Sequence, residues 1–325
     1  MKKLIIVTLM IMVASCAAVK QTTAPGEGRS SPTVSDPKGV AAGDPSSPVA
    51  SEGQDHLILA TLWFQKSAEM RALFYQCFRN AETALKENLE LQRQASAAPE
   101  PHTPESPTVS VLSSGETGGT TSDSSAPGDS GPESHKKPAV VLDIDETLLD
   151  NSPFQGWQVH EKKSFNNDDW FRWVELARAR PLPGAVEFTR YADSLGVEVF
   201  YVSNRTVQEM GPTIKNMAAW GFVNADSTHM LLKETTSSKV ERRALVEKDY
   251  EILLLIGDNL ADLSGVYEKR GPDYGFETVD SDRRLFGTKY IVLPNPMYGN
   301  WLNDLLRSAP GSTEREKLLQ MLDSF

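Results

Sequence analysis

The chain has 325 residues, 39% of them hydrophobic and 24% charged, which is enough apolar material for one sizeable core. Lys+Arg number 33 against 44 Asp+Glu, a formal net charge of -11 at pH 7. That balance excludes a nucleic-acid polymer or an anionic membrane surface as a general partner, and Cys16 and Cys77 alone cannot build a disulfide framework or a thiolate zinc site.

Residues 1–16, MKKLIIVTLMIMVASC, begin with Lys2 and Lys3 and continue in an apolar run from Leu4 to Val13. This is too short to span a bilayer and reads as a secretory signal. Its end, Val13-Ala14-Ser15-Cys16, resembles a bacterial lipobox, so Cys16 is expected to carry lipid and to become the mature N-terminus. Ala17 rather than Asp follows it, which points to the outer membrane of the cell envelope. Residues 17–54 are rich in Ser, Pro, Gly, Thr and Ala without apolar periodicity, as expected of a flexible tether.

Segment 55–94 changes character. Met70, Leu73, Phe74, Cys77, Phe78, Ala81, Ala84 and Leu85 recur at helical spacing and predict an amphipathic helix docked on the main domain, with Cys77 as a packing thiol. Residues 95–137 return to Ser, Thr, Gly and Pro and are expected to form a disordered insertion. The catalytic domain is placed at 138–308 and a tail helix at 309–325.

Within that domain, Ala139–Leu142, Val197–Val202, Met230–Leu232, Ile252–Ile256 and Tyr290–Leu293 read as strands. Helices are predicted at Asn166–Ala179, around Phe188–Leu195, at Val207–Trp220 and at Lys239–Lys248. Such alternation specifies an α/β fold, a parallel sheet with helices on both faces. In open sheets of this kind ligands bind beyond the C-terminal ends of the strands, and those ends carry the chemistry here. The first is followed by Asp143 and Asp145, two carboxylates that cannot both ionise in a poorly solvated site without a cation or a retained proton to relieve them. A D-x-D pair alone is equally a solvated turn. The second strand runs into Ser203 and Asn204, a hydroxyl and amides suited to a phosphoryl oxygen. The fourth runs into Asp258, with Asp262 four residues on, on one face of any helix that starts there. Carboxylates at two strand ends suit a hard cation such as Mg2+, and a lysine near the start of the Lys239 helix can neutralise transferring charge. Lys233 is the alternative lysine.

The stretches VVLDIDETLLDNSPFQGWQV, DDWFRW, RPLPGAVEF, VFYVSNR, SSKVERR, IGDNLADL and LPNPMYGNW resemble the haloacid dehalogenase superfamily, and more narrowly its class C acid phosphatases of the lipoprotein e, 5'-nucleotidase family. The resemblance implies that Asp143 is a nucleophile and that Asp145 is a general acid and then base. It further implies that Ser203 and Lys239 bind the phosphoryl group. Asp143, the main-chain carbonyl of Asp145 and Asp258 would hold Mg2+, with Asp262 and Asn204 supporting them. Trp170 and Tyr298 match aromatics that sandwich the substrate's ring. The expected substrates are small phosphomonoesters, nucleoside monophosphates above all; the expected attachment is to a membrane through lipid, and a homodimer is left open. A small helical cap or docking region completes the expected fold. Two other functions remain open on the sequence: a surface adhesin or haem-binding lipoprotein that keeps the fold without turnover, and a phosphotransferase that passes the same phosphoryl group to an alcohol.

Overall fold

Residues 57–97 and 136–325 are described by the structure, a computed structural model of the chain. The signal segment with Cys16, the 17–54 tether and nearly all of the 95–137 insertion lie outside them. In chain order the described residues form α1 (Ile58–Lys66), α2 (Ala68–Ala97), β1 (Lys137–Leu142), β2 (Leu149–Asp150), α3 (Ser152–Glu161) and α4 (Asn167–Glu175). There follow β3 (Arg180–Pro181), α5 (Ala185–Ser194), β4 (Glu198–Thr206), α6 (Met210–Trp220), β5 (Met230–Lys233), α7 (Val240–Asp249) and β6 (Tyr250–Gly257). Last come α8 (Leu260–Leu263), α9 (Phe276–Ser281), β7 (Tyr290–Val292), α10 (Asn300–Ser308) and α11 (Glu314–Gln320).

The main sheet is parallel, in the order β5-β4-β1-β6-β7. Successive strand residues face opposite sides, so each strand feeds two cores. On one side Val140, Leu142, Val199, Tyr201, Leu254 and Ile256 pack with residues of α2 and α5. On the other, Ala139, Val141, Phe200, Val202 and Leu255 pack with Val246 of α7 and Leu263 of α8. Helices on both faces of a buried parallel sheet are what the alternating sequence pattern specifies. β1 is the central strand, flanked by β4 and β6, and its C-terminal end opens into the crevice that such an order creates.

The predicted 55–94 helix is two helices. Ser67 breaks it with an extended backbone, φ -83° and ψ 140°, and its hydroxyl accepts the main-chain N–H of Met70 at 3.0 Å, as a capping serine does. The predicted stripe on α2 is buried at Phe74, Phe78, Ala81, Ala84 and Leu85. Phe78 meets Phe188 of α5 at 5.7 Å between ring centroids. Gly184, at φ +86°, lets that helix start close by, since a Cβ there would stand 3.1 Å from the Phe78 ring. Asn88 donates to the carbonyls of Leu253 and Thr288, at 3.1 and 2.8 Å, which fixes α2 against the β6–β7 end of the sheet. Cys77 is half-buried, its thiol donating to Val292 O at 3.4 Å, and burial raises its pKa.

One predicted boundary moves for a clear reason. The helix expected over Asn166–Ala179 stops at Glu175, and Ala177 turns left-handed at φ 47°. Asn216 and Trp220 of α6 claim the backbone beyond it. Ala179 N donates to Asn216 Oδ1 at 3.0 Å, and Ala179 O accepts from Asn216 Nδ2 and Trp220 Nε1, both at 2.9 Å. Those tertiary bonds replace the helical ones. Residues 309–325 contain α11, opened by a capping box of Thr313 and Glu316.

Candidate active site

Asp143 directly follows β1, and its N–H still donates to Ile256 O of β6 at 2.9 Å, so the sheet itself fixes its backbone. Its side chain is only 9% exposed and is ion-paired with the ammonium of Lys239, itself 3% exposed. The same ammonium reaches Asp262 Oδ1 at 2.6 Å. Lys239 enters from the residue before α7, and Asp262 from α8, where its other oxygen accepts the N–H of Asn259 at 3.0 Å and completes a capping box. Both lysine candidates line the cleft, and Lys239 is the one ion-paired with the carboxylates of Asp143 and Asp262.

Carboxylate oxygens of Asp143, Asp258 and Asp262 all lie within 4.8 Å of one another. Burial pushes the Asp143 carboxyl up to about 7; Lys239 pulls against this, while Asp262 and Asp145 add to it. Asp258 is raised well above the carboxylate range, by burial first and then by Asp262 and Asp143. Burial alone would depress Lys239, but the Asp143 and Asp262 charges hold it above its ordinary value. Asp258 is aimed by neighbours. Thr147 Oγ1 donates to its Oδ1 at 3.1 Å and Asn295 Nδ2 to its Oδ2 at 2.8 Å. Three crowded acids facing one lysine form a donor set of hard oxygens with surplus negative charge, which suits a divalent cation.

Asp145 has different company. Its Oδ1 accepts Arg205 Nη2 at 2.7 Å, Arg205 Nε at 3.0 Å and Asn151 Nδ2 at 2.8 Å, and it is not one of the three clustered carboxylates. Arg205 is buried on β4, its Nη1 donating to Thr213 Oγ1 at 3.0 Å and its guanidinium lying 5.7 Å from the Trp170 ring centroid. Of the two residues expected to hold a phosphoryl oxygen, Asn204 lines the cleft, with its Oδ1 accepting from Arg242 Nη2 at 2.7 Å. Ser203 is fully buried, its hydroxyl accepting from Arg205 N at 3.2 Å.

The cleft has a volume of about 540 Å³ and takes in Asp143, Asp145, Lys239, Asp258, Trp170 and Tyr298. Trp170 is set on α4, whose first turn is capped by Asn166, accepting from Asp169 N at 2.9 Å. Its ring meets Phe154 edge to face at 5.2 Å. Tyr298 comes from the loop after β7 and donates its hydroxyl to the buried Glu146. Burial, with Asp145, Asp258 and Asp150 nearby, raises Glu146 well above the usual carboxylate range.

Sequence reasoning missed Arg205, Asn151, Glu146, Thr147 and Asn295. Arg205 had a signal available: two residues beyond Ser203 on the same strand, it belongs to the same sheet face at the strand end. The others sit in loops, where no period marks them.

A family model described as HAD superfamily, subfamily IIIB (acid phosphatase), matches residues 120–301. Acid phosphatase 1 of Solanum lycopersicum is 28% identical over 167 residues, 49% of this chain and 57% of the relative. The stem 28 kDa glycoprotein of Glycine max is 27% identical over 175 residues, 51% of this chain and 61% of the relative. The chain thus spans little more than half the length of these curated relatives. Among solved structures, that of the class C acid phosphatase from Bacillus anthracis is similar with a TM-score of 0.66 and 33% identity, covering 84% of this chain and 98% of that one. The same enzyme with tungstate bound gives a TM-score of 0.65 and 31% identity, covering 83% and 98%.

Proposed function

The chain belongs to the HAD superfamily, subfamily IIIB, as a class C acid phosphatase, and from that premise we propose that it hydrolyses small phosphate monoesters, 5'-nucleotides and aryl phosphates among them, through an aspartyl-phosphate. The observation that carries this reading is the division of partners between two acids two residues apart. Asp143 meets Lys239 beside the acid cluster, and Asp145 meets Arg205 and Asn151 at the cleft. Asp143, beside the cation that would meet a phosphoryl group, is placed as the nucleophile, and Asp145 as the acid–base group, as the family resemblance implies.

In this reading an oxygen of Asp143 attacks phosphorus, forming the acyl-phosphate bond as the ester P–O bond breaks. Asp145 gives its proton to the departing alkoxide. It then takes a proton from the water that attacks the aspartyl-phosphate, so that inorganic phosphate leaves and the Asp143 carboxylate returns. Lys239 stabilises the negative charge spread over the phosphoryl oxygens, and Asn204, which lines the cleft, orients them; Ser203, implied by the resemblance for the same task, lies buried behind it. Asp143, the main-chain carbonyl of Asp145 and Asp258 would hold Mg2+, with Asp262 in support; the ion supplies positive charge to the phosphoryl oxygens. Tungstate, bound in the related structure, is an oxyanion as phosphate is, and supports a phosphate-shaped site. Trp170 and Tyr298 would stack a flat leaving group between them. A lipid on Cys16 would hold the protein in the envelope, at the outer membrane.

The test is turnover of a panel of phosphate esters by the purified protein, with and without chelator, alongside Asp143→Asn. The amide is nearly isosteric but a poor nucleophile, so turnover and any trapped acyl-phosphate should vanish while the fold remains. Near-normal turnover by Asp143→Asn overturns the aspartyl-phosphate route.

A further inference from the structure

Glu146 is fully buried and performs no step of the proposed chemistry, and a buried carboxyl group is costly unless its oxygens are hydrogen-bonded. Both are, on two separate parts of the chain. Oε1 accepts the main-chain N–H of Asn151 at 2.8 Å, and Oε2 accepts the hydroxyl of Tyr298, 152 residues further on. The residue itself is left-handed, at φ 56°, and its N–H donates to Leu149 O at 3.0 Å. A non-glycine residue keeps such a backbone only where its surroundings over-determine it.

The loop that carries Tyr298 is tied at its base, where Asn295 Oδ1 accepts from Met297 N at 3.0 Å and Tyr298 N at 3.4 Å. Glu146 secures the other end of that residue, the phenol. Asn151 continues the connection: its Nδ2 donates to Asp145 Oδ1 at 2.8 Å, and its Oδ1 accepts from Trp173 Nε1 at 2.8 Å. Tyr298, Glu146, Asn151 and Asp145 therefore form an unbroken line of contacts from the cleft wall to the proposed acid–base group.

We propose that Glu146 is a positioning residue that fixes the Tyr298 ring at the cleft wall, so that a buried acid in the catalytic loop sets how strongly leaving groups with a flat ring are preferred. This rests on the phosphomonoesterase reading and adds to it the residue that controls leaving-group selection. A glutamate that only filled space would leave that selection alone.

The readout is the ratio of kcat/KM for adenosine 5'-monophosphate over glycerol phosphate, in the full chain. Tyr298→Phe keeps the ring and unties it, and should lower the ratio about threefold to tenfold; Glu146→Leu should lower it as much, and the double variant no further, because both remove one contact. Glu146→Gln, with one acceptor and one donor in the same places, should hold the ratio within about twofold of wild type. The same ratio, read as binding affinities in the Asp143→Asn background, keeps the comparison independent of turnover. If Glu146→Leu fails to fold, Tyr298→Phe and Glu146→Gln decide the matter. A wild-type ratio in Tyr298→Phe, effects that multiply in the double variant, or a lowered ratio in Glu146→Gln overturns the proposal. Tyr298→Ala separates the two ideas. If it lowers the ratio while Tyr298→Phe does not, the stacking reading stands and the positioning role falls; if it leaves the ratio unchanged, both fall.

Discussion

Replacing Lys239 by Met removes the ammonium that joins Asp143 to Asp262 and keeps a side chain of similar length in a site that is only 3% exposed. Breaking a buried ion pair by deleting one partner costs about 3–5 kcal/mol, because the remaining charge is stranded. Here the stranded group has a way out. Asp143 is already raised to about 7, and without Lys239 to lower it the carboxyl rises further and takes up a proton. The lower end of the range, about 3 kcal/mol, is therefore expected near neutral pH, or a fall in Tm of roughly 6–12 °C for a domain of this size. The sign with pH follows. Lys239, raised above its ordinary value, stays charged throughout, whereas the carboxylates protonate as pH falls. The gap between wild type and variant should be widest above about pH 8 and should narrow as pH drops through about 7, the Asp143 value. Loss of a preorganised cation at a developing phosphoryl charge costs on the order of 10²–10³ in kcat. Thermal unfolding by circular dichroism and kcat/KM for a nucleoside monophosphate, both followed against pH, check the two halves. A variant that melts within about 2 °C of wild type and loses less than about tenfold in kcat would refute the reasoning.

Other outcomes follow from the same geometry. Without metal, the raised Asp143 makes the folded chain the better proton binder, so stability should decline as pH rises from the ordinary carboxylate range through about 7. Mg2+ at about a hundred times its Kd should add about 2.7 kcal/mol, roughly 5–10 °C in Tm, with the gain shrinking below about pH 7 as protons compete; no Tm response to Mg2+ at alkaline pH would remove the proposed metal. Trp170→Ala should lower the ratio of kcat/KM for a nucleoside monophosphate over glycerol phosphate about tenfold, since stacking is worth about 1–3 kcal/mol per base; an unchanged ratio makes the ring a packing residue of the Phe154 cluster. Cys16→Ser should move the protein from the membrane to the soluble fraction or leave it unprocessed, and unchanged membrane fractionation would exclude the lipid anchor.

The parts of the fold that could be read in advance are those with a period. Val140, Leu142, Leu254 and Ile256 come from continuous apolar runs, and such runs flanked by helical patterns admit little besides a buried parallel strand. The α2 stripe was equally plain, but its start was not, because a single serine at 67 resets the helix through one side-chain bond. The end of α4 was hidden for the opposite reason. What stops it is Asn216, 37 residues from Ala179 and reaching it only in the folded chain. Acids at strand ends announced themselves, since a carboxylate that closes a buried run is chemically out of place. Their partners did not: Asn151 and Asn295 are ordinary loop residues until folding sets one against Asp145 and the other against Asp258.

That difference explains why a D-x-D pair cannot be interpreted by itself. Asp143 and Asp145 are the same side chain, two positions apart on one loop. Nothing in the pair itself gives them different partners. The distinction arises from β4, the start of α7 and α8: Lys239 and Asp262 close on Asp143, 9% exposed, while Arg205 holds Asp145, 18% exposed. Each of these cations depends on a long-range packing decision. Arg205 lies 60 residues from Asp145 and Lys239 lies 96 from Asp143, so the sheet must be assembled before either pairing exists. The different partners of Asp143 and Asp145 are thus a property of strand order rather than of the motif. A sequence with the same D-x-D and no arginine after its Ser-Asn would keep the crowded carboxylates of Asp143, Asp258 and Asp262, but would lose the guanidinium that holds Asp145.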